Sequence, residues 1–194
     1  MFIEAIIFSL IIGLIRGGKF KRFKVVNDKT MWVLVLGILI QYILIFLNRA
    51  EEIKSISNIL SYTKEILIIS YVLILIGIIA NVKFRSLWAV LIGFVLNFIV
   101  TIANGWKMPI LLEGIKLTGL EELHGIIESG NAALYTPISE HIKYPILGDI
   151  IIFANPYPIS RVISIGDMII SFGIFALIQE IMLSEDSFMG GYRL

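Results

Sequence analysis

Cysteine is absent from all 194 residues, which excludes disulfides, thiol catalysis and cysteine-bound zinc or iron–sulfur clusters. Charge is scarce as well. Only 16% of the residues are Asp, Glu, Lys or Arg, where a soluble domain carries about 25%. The formal net charge of +1 provides no field to attract nucleic acid. Histidine occurs twice, at His124 and His141. Glutamates at 121, 122, 128 and 140 lie near them, but no HExxH or comparable ligand spacing is present, so neither a metal site nor a cofactor is expected. There is no serine in a nucleophile-elbow setting, no phosphate-cradling glycine loop after a strand and no DNA-reading module. These absences point away from an enzyme.

Apolar side chains are what the sequence has in abundance: 58% of residues, with a mean hydropathy of +0.92. They gather in runs at about 2–16, 31–47, 62–80, 87–103 and 162–183. A helix rises 1.5 Å per residue, so a bilayer core of about 30 Å takes about 20 residues, with a working range of roughly 17–25. The first run is short, but Arg16 can extend its stem toward the headgroups. It lacks the basic start and small-residue cleavage site of a signal peptide. The expected fold is an all-α integral membrane protein forming a single membrane domain over 1–194. It has about five transmembrane helices and a structured extracytoplasmic segment, 104–161, between the fourth and fifth. Gly13 and Gly17, four apart, would let a second helix approach the first.

Short loops set the orientation. "RGGKFKRFKVVNDKT" holds six basic residues against one acid, and "NVKFRS" holds two against none. The intervening "NRAEEIKSISNILSYTKE" balances three against three. Basic short loops stay in the cytoplasm. The N-terminus is therefore expected outside and the C-terminal "SEDSFMGGYRL" inside.

The 104–161 segment is too long to be a simple connection. In "TGLEELHGIIESGN", Thr118 and Glu121 read as a capping box. Leu120, Leu123 and Ile127 share a face that can lie on the bilayer surface or on the helix bundle, and Gly130-Asn131 ends the helix. "PILGDIIIF" is too short to span and reads as a re-entrant or surface piece covered by protein.

The stretches "GLIRGGKFKRF", a span containing Gln41, "NFIVTIANGWKMPI", "LGDII" and "SIGDMIISFG" follow one another along nearly the whole chain. In this order they resemble DUF5317, a bacterial membrane family of unknown function. In that family the central motif usually reads Asn-Gly-Gly-Arg-Met-Pro. Here Trp106 and Lys107 replace the second Gly and the Arg, and the positive charge is kept. The resemblance implies a small multi-span bacterial membrane protein and brings no activity, substrate or cofactor.

The polar residues inside the apolar runs are the candidates for a site. Asp167 stands about five residues into the last span, where a carboxylate is costly and usually faces protein. It fits an ion, proton or polar-ligand contact, and it equally fits a buried pair or, like Ser164, a cap on the helix start. Asp149 occupies a similar Gly-Asp pair in the loop. Asn97, Thr101 and Asn104 fall on one face of the fourth span, with Lys107 just past the helix end that Met108-Pro109 enforces, and Gln41 lies mid-span in the second. Amides in such places commonly bond helix to helix; together they also outline a polar path. Lys107 or Arg161 can pair with either aspartate, which would tie the long loop to the bundle.

The reading favoured is a non-enzymatic multi-span protein of the bacterial cytoplasmic membrane, a subunit or accessory of a membrane protein complex. Its partners would be membrane lipids and other membrane proteins or copies of itself, and basic residues 16–29 would meet anionic headgroups. The alternative is a small carrier or channel-like protein using Asp167, Asn97, Asn104 and Gln41.

Overall fold

Long unbroken apolar runs become helices because an apolar environment leaves backbone N–H and C=O groups only each other to bond. A computed structural model describes residues 2–27, 29–48, 59–157 and 159–183. The charge-balanced loop at 49–58 and the C-terminal 184–194, both used in the orientation argument, lie outside the described residues. The five apolar runs are helical: α1 (Phe2–Ile15), α2 (Lys29–Asn48), α3 (Thr63–Ala80), α4 (Leu87–Ala103) and, near the end of the chain, α7 (Ile165–Leu183). Three of them, α2, α3 and α7, are long and apolar enough to cross a membrane. At 14 and 17 residues, α1 and α4 rise about 21 and 25 Å and are shorter than those three.

The chain divides into two compact units. The first comprises Met1–Ile38, Tyr71–Phe94 and Gly166–Leu194. Its core gathers Met31 and Leu34 of α2, Ile74 and Ile78 of α3, Leu87, Val90 and Phe94 of α4, and Ile170 and Ile181 of α7. Contacts fix the helix directions. Ser9 bonds to Phe175 and Gln179, and Gly13 meets Gln179 and Met182, so α1 and α7 run parallel. Gly93 lies against Gly166 and Ile170, and Gly173 against Val90, so α4 and α7 run antiparallel. Thr30 bonds to Asn81, and Gly77 lies on Leu34, which makes α2 and α3 antiparallel. Tyr71 meets Phe94 edge-on across the tight α3–α4 hairpin. The helices of this unit therefore alternate up and down in chain order.

Glycines permit the closest crossings. A Cβ on Gly93 would fall 2.5 Å from the Gly166 carbonyl oxygen, a distance no side chain tolerates. Gly13 serves its expected purpose against α7. Gly17 does not: a Cβ added there would meet nothing within 4 Å, and its φ of +81° turns the chain out of α1. A 3-10 helix, Phe20–Asn27, follows.

The second unit comprises Leu39–Ser70 and Val95–Ile165. After α4 come β1 (Met108–Ile110), α5 (Leu112–Leu117), α6 (Glu121–Glu128) and β2 (Tyr135–Pro137). A 3-10 turn (Pro145–Leu147), β3 (Ile151–Phe153) and β4 (Arg161–Ile163) complete it. β1 pairs parallel with β2, and β3 antiparallel with β4. The segment is structured, as its length required. Helix α6 ends at Gly130 as expected, but its start differs from the capping-box reading. Leu120 is the N-cap, with no side-chain bond, and Thr118 Oγ1 turns back to the Ile115 carbonyl at 2.6 Å, closing α5. The apolar face of α6 packs within the segment itself. Ile127 joins Ile110, Ile115 and Ala132 in a small core of the segment's own. "PILGDIIIF" is the 3-10 turn followed by β3.

Candidate functional site

The polar face of α4 is the clearest constellation among the residues singled out from sequence. Asn97, Thr101 and Asn104, at helical spacings of four and three, each reach the segment that follows. Asn97 Oδ1 accepts the Ser164 hydroxyl at 2.9 Å. The Thr101 hydroxyl points to the Met108 sulfur at 3.7 Å. Asn104 does most: its Nδ2 donates to the carbonyls of Val100 (2.8 Å) and Lys143 (2.9 Å), and its Oδ1 accepts the Lys143 N–H at 2.9 Å. An amide carries both donors and acceptor, so one side chain clamps both backbone groups of residue 143.

The end of α4 is a left-handed turn. Gly105 has φ +70° and Trp106 φ +67°, and both the Asn104 and Trp106 N–H groups close on the Thr101 carbonyl. A non-glycine residue in this region is strained by roughly 1–2 kcal/mol. Trp106 gains an edge-on contact with Phe98, ring centres 6.0 Å apart. Lys107 is half-buried, and its N–H donates to Asn104; among the described residues it forms no ion pair.

Asp149 is held through its backbone. Its N–H donates to the Pro109 carbonyl (2.8 Å), its carbonyl accepts from Leu111 (3.0 Å), and it bridges to Ile110. Gly148 before it is required, since a Cβ there would fall 2.6 Å from the Pro109 oxygen. Both Gly-Asp pairs thus place a glycine at a close backbone approach: Gly148 on Pro109, Gly166 on Gly93. Asp167 occupies the first turn of α7, the end where a carboxylate complements the helix dipole. Arg161 stands over the Tyr157 ring at 5.4 Å, and burial lowers its pKa from the usual arginine value. Gln41 is half-buried in α2, and its Nε2 finds no hydrogen-bond partner among the described residues. His124 and Glu128 approach to 3.6 Å one helical turn apart. Among the described residues no group of three potential ligands stands close enough to hold a metal ion.

The most deeply buried polar cluster lies in the first unit and involves residues not singled out from sequence. Gln179 and Glu180 are adjacent in α7, and both are 0% exposed. Gln179 donates to the Ser9 carbonyl (2.6 Å) and hydroxyl (3.2 Å) of α1 and accepts from Arg16 Nη1 (3.3 Å). The Glu180 carboxyl receives three donors at the entry to α4: Arg85 N–H (3.1 Å), Ser86 N–H (3.0 Å) and the Ser86 hydroxyl (2.6 Å). Neighbours on a helix point about 100° apart, so this pair fastens α7 to α1 on one side and to α4 on the other. The signal in the sequence was "ALIQEIML", two consecutive polar residues inside an apolar run.

These groups hold elements of each unit together. Fold and polar network together define a mostly helical protein with three helices long and apolar enough to cross a membrane, braced by internal hydrogen bonds. The chain belongs to the DUF5317 family, a family of unknown function, whose family model matches residues 25–179. No curated protein and no solved structure matches the chain.

Proposed function

We propose that the protein is a non-enzymatic integral membrane protein with five spans, acting as a subunit or accessory of a membrane protein complex. The observation that carries this reading is a division of labour among side chains. Asn97, Asn104, Gln179 and Glu180 are taken up by bonds between elements. Large apolar side chains meanwhile remain exposed along α1 to α3, among them Ile7, Phe8, Leu36, Ile43, Phe46 and Ile76. Of the three long helices, α7 is 56% buried, against 22% and 33% for α2 and α3. Helices this apolar and this open need hydrocarbon or neighbouring helices around them. The up–down alternation supports counting α1 and α4 as spans, with polar ends completing their reach. The N-terminus and 104–161 then lie outside, and the basic connections and C-terminus lie in the cytoplasm of a bacterium.

Single cysteines at Phe23 and at Ser129 test the topology. Impermeant thiol reagents should label them from opposite faces of intact and inverted vesicles; labelling of both from one face overturns the reading. One observation favours the carrier alternative: in half-buried Gln41 the Nε2 atom is shielded and has no hydrogen-bond partner among the described residues. That alternative requires reconstituted protein to move an ion or solute, with the movement lost in Asp167→Asn.

A further inference from the structure

We infer that one end of the first unit is a docking surface for anionic phospholipid headgroups. The inference rests on the membrane reading above. Because α1 and α7 run parallel while α4 runs against them, three stretches meet at this end: the α1–α2 connection, the α3–α4 hairpin and the last turn of α7. The connection is tied down there. Lys19 N–H and Arg22 Nη1 both donate to the Met182 carbonyl, at 3.1 and 2.8 Å, and Gly18 lies against the Met182 side chain. Phe23 turns inward onto the cluster of Ile178, Met182 and Leu183.

With Phe23 inside, Lys19, Lys21 and Lys24 point outward and are exposed, and among the described residues they form no ion pair. Lys29 opens α2 beside the hairpin, where Thr30 bonds to Asn81, and the hairpin itself adds exposed Lys83 and Arg85. Among the described residues the one acid at this end is Glu180, which is sealed inside by Arg85 and Ser86. The acids Glu4 and Asp167 stand at the opposite end of α1 and α7.

Topology alone asks for cations in these connections. It does not ask for large apolar rings exposed among them. Phe20 is 55% exposed beside Lys19 and Lys21, stacked on Phe23 at 6.2 Å, and Trp88 is 56% exposed three residues beyond Arg85. Trp32 stands exposed one turn into α2. Lysines with aromatic rings just to their apolar side match a phosphate layer lying over acyl chains. An acidic soluble protein would satisfy the charges and leave the rings in water.

The test uses the full chain carrying Trp106→Phe, so that fluorescence comes from Trp32 and Trp88, in phosphatidylcholine vesicles. Equal small fractions of dibrominated phosphatidylglycerol or dibrominated phosphatidylcholine are added as quenchers. The glycerol lipid should quench at least about twofold more effectively at low salt. The preference should vanish near about 1 M salt, where the Debye length is about 3 Å. It should also vanish in the Lys19→Gln, Lys21→Gln, Lys24→Gln variant, whose quenching by the choline lipid should match the parent. Equal quenching by both lipids in the parent overturns the inference and leaves the membrane reading intact. So does a preference that survives both salt and the triple substitution. Quenching by neither lipid overturns the membrane reading with it.

Discussion

Removing the Glu180 carboxyl should unfasten α7 from the entry to α4. Three donors converge on it at 2.6–3.1 Å in a site with no exposure. Replacing a buried polar cluster with apolar residues can be neutral when every partner is replaced. Here two of the partners are backbone N–H groups of Arg85 and Ser86, which no substitution removes. Each buried donor left without an acceptor costs about 1–3 kcal/mol, so Glu180→Leu, which strands three, should lose roughly 3–9 kcal/mol. That is a large part of the 5–15 kcal/mol typical of a folded chain. Glu180→Gln keeps one acceptor and turns an NH₂ group toward a donor, and should lose about 2–3 kcal/mol. Ser86→Ala removes only the shortest bond, at about 1–2 kcal/mol. Reversible unfolding in mixed micelles with increasing SDS would rank the three. A double-mutant cycle between Ser86→Ala and Glu180→Gln should show coupling of about 1 kcal/mol or more. Glu180→Leu within about 0.5 kcal/mol of the parent, or zero coupling in the cycle, would refute the reasoning.

Asn104→Ala deletes the clamp on Lys143. It should cost about 1–3 kcal/mol and speed proteolysis of 104–165 selectively, whereas Asn104→Asp, which retains the acceptor for the Lys143 N–H, should fall between. Limited proteolysis of detergent-purified protein reads this, and identical cleavage rates for all three would contradict the clamp. At position 106, glycine should be more stable than alanine by about 1 kcal/mol, because alanine keeps the left-handed strain and loses the ring contact. Thermal unfolding of Trp106→Gly against Trp106→Ala checks the order, and the reverse order would show that φ strain does not govern this turn.

The helices were legible because length and hydropathy determine them almost alone. The 87–103 run became Leu87–Ala103, and the others shifted by at most a few residues at their ends. The loop was legible as structured and not in its details. Thr118 has the residue type and spacing of a capping box, but the Ile115 carbonyl stands within reach of its hydroxyl and takes the bond first. The asparagine face of α4 was visible as a face, because helical periodicity is exact enough to align 97, 101 and 104. What it would touch was not visible, since Ser164 and Lys143 lie far along the chain. Attention to Asp149 and Asp167 followed from the expense of charge in apolar runs. The same rule applied to "IQEI" picks out Glu180, which sits deeper than either aspartate. Its three donors come from a hairpin about 94 residues earlier, a distance at which sequence pattern is silent.

In the role proposed for it, this chain serves a neighbouring membrane protein, with its own polar groups taken up in bracing itself. Extraction of the tagged protein from its native membrane in polymer-bounded nanodiscs, followed by mass determination of intact particles, tests this most directly. The claim predicts particles in which a second membrane protein, or a second copy of this chain, is present at one fixed ratio across preparations. Particles holding a single copy with lipid alone, from protein whose reconstituted form moves a solute in a manner abolished by Asp167→Asn, would contradict it.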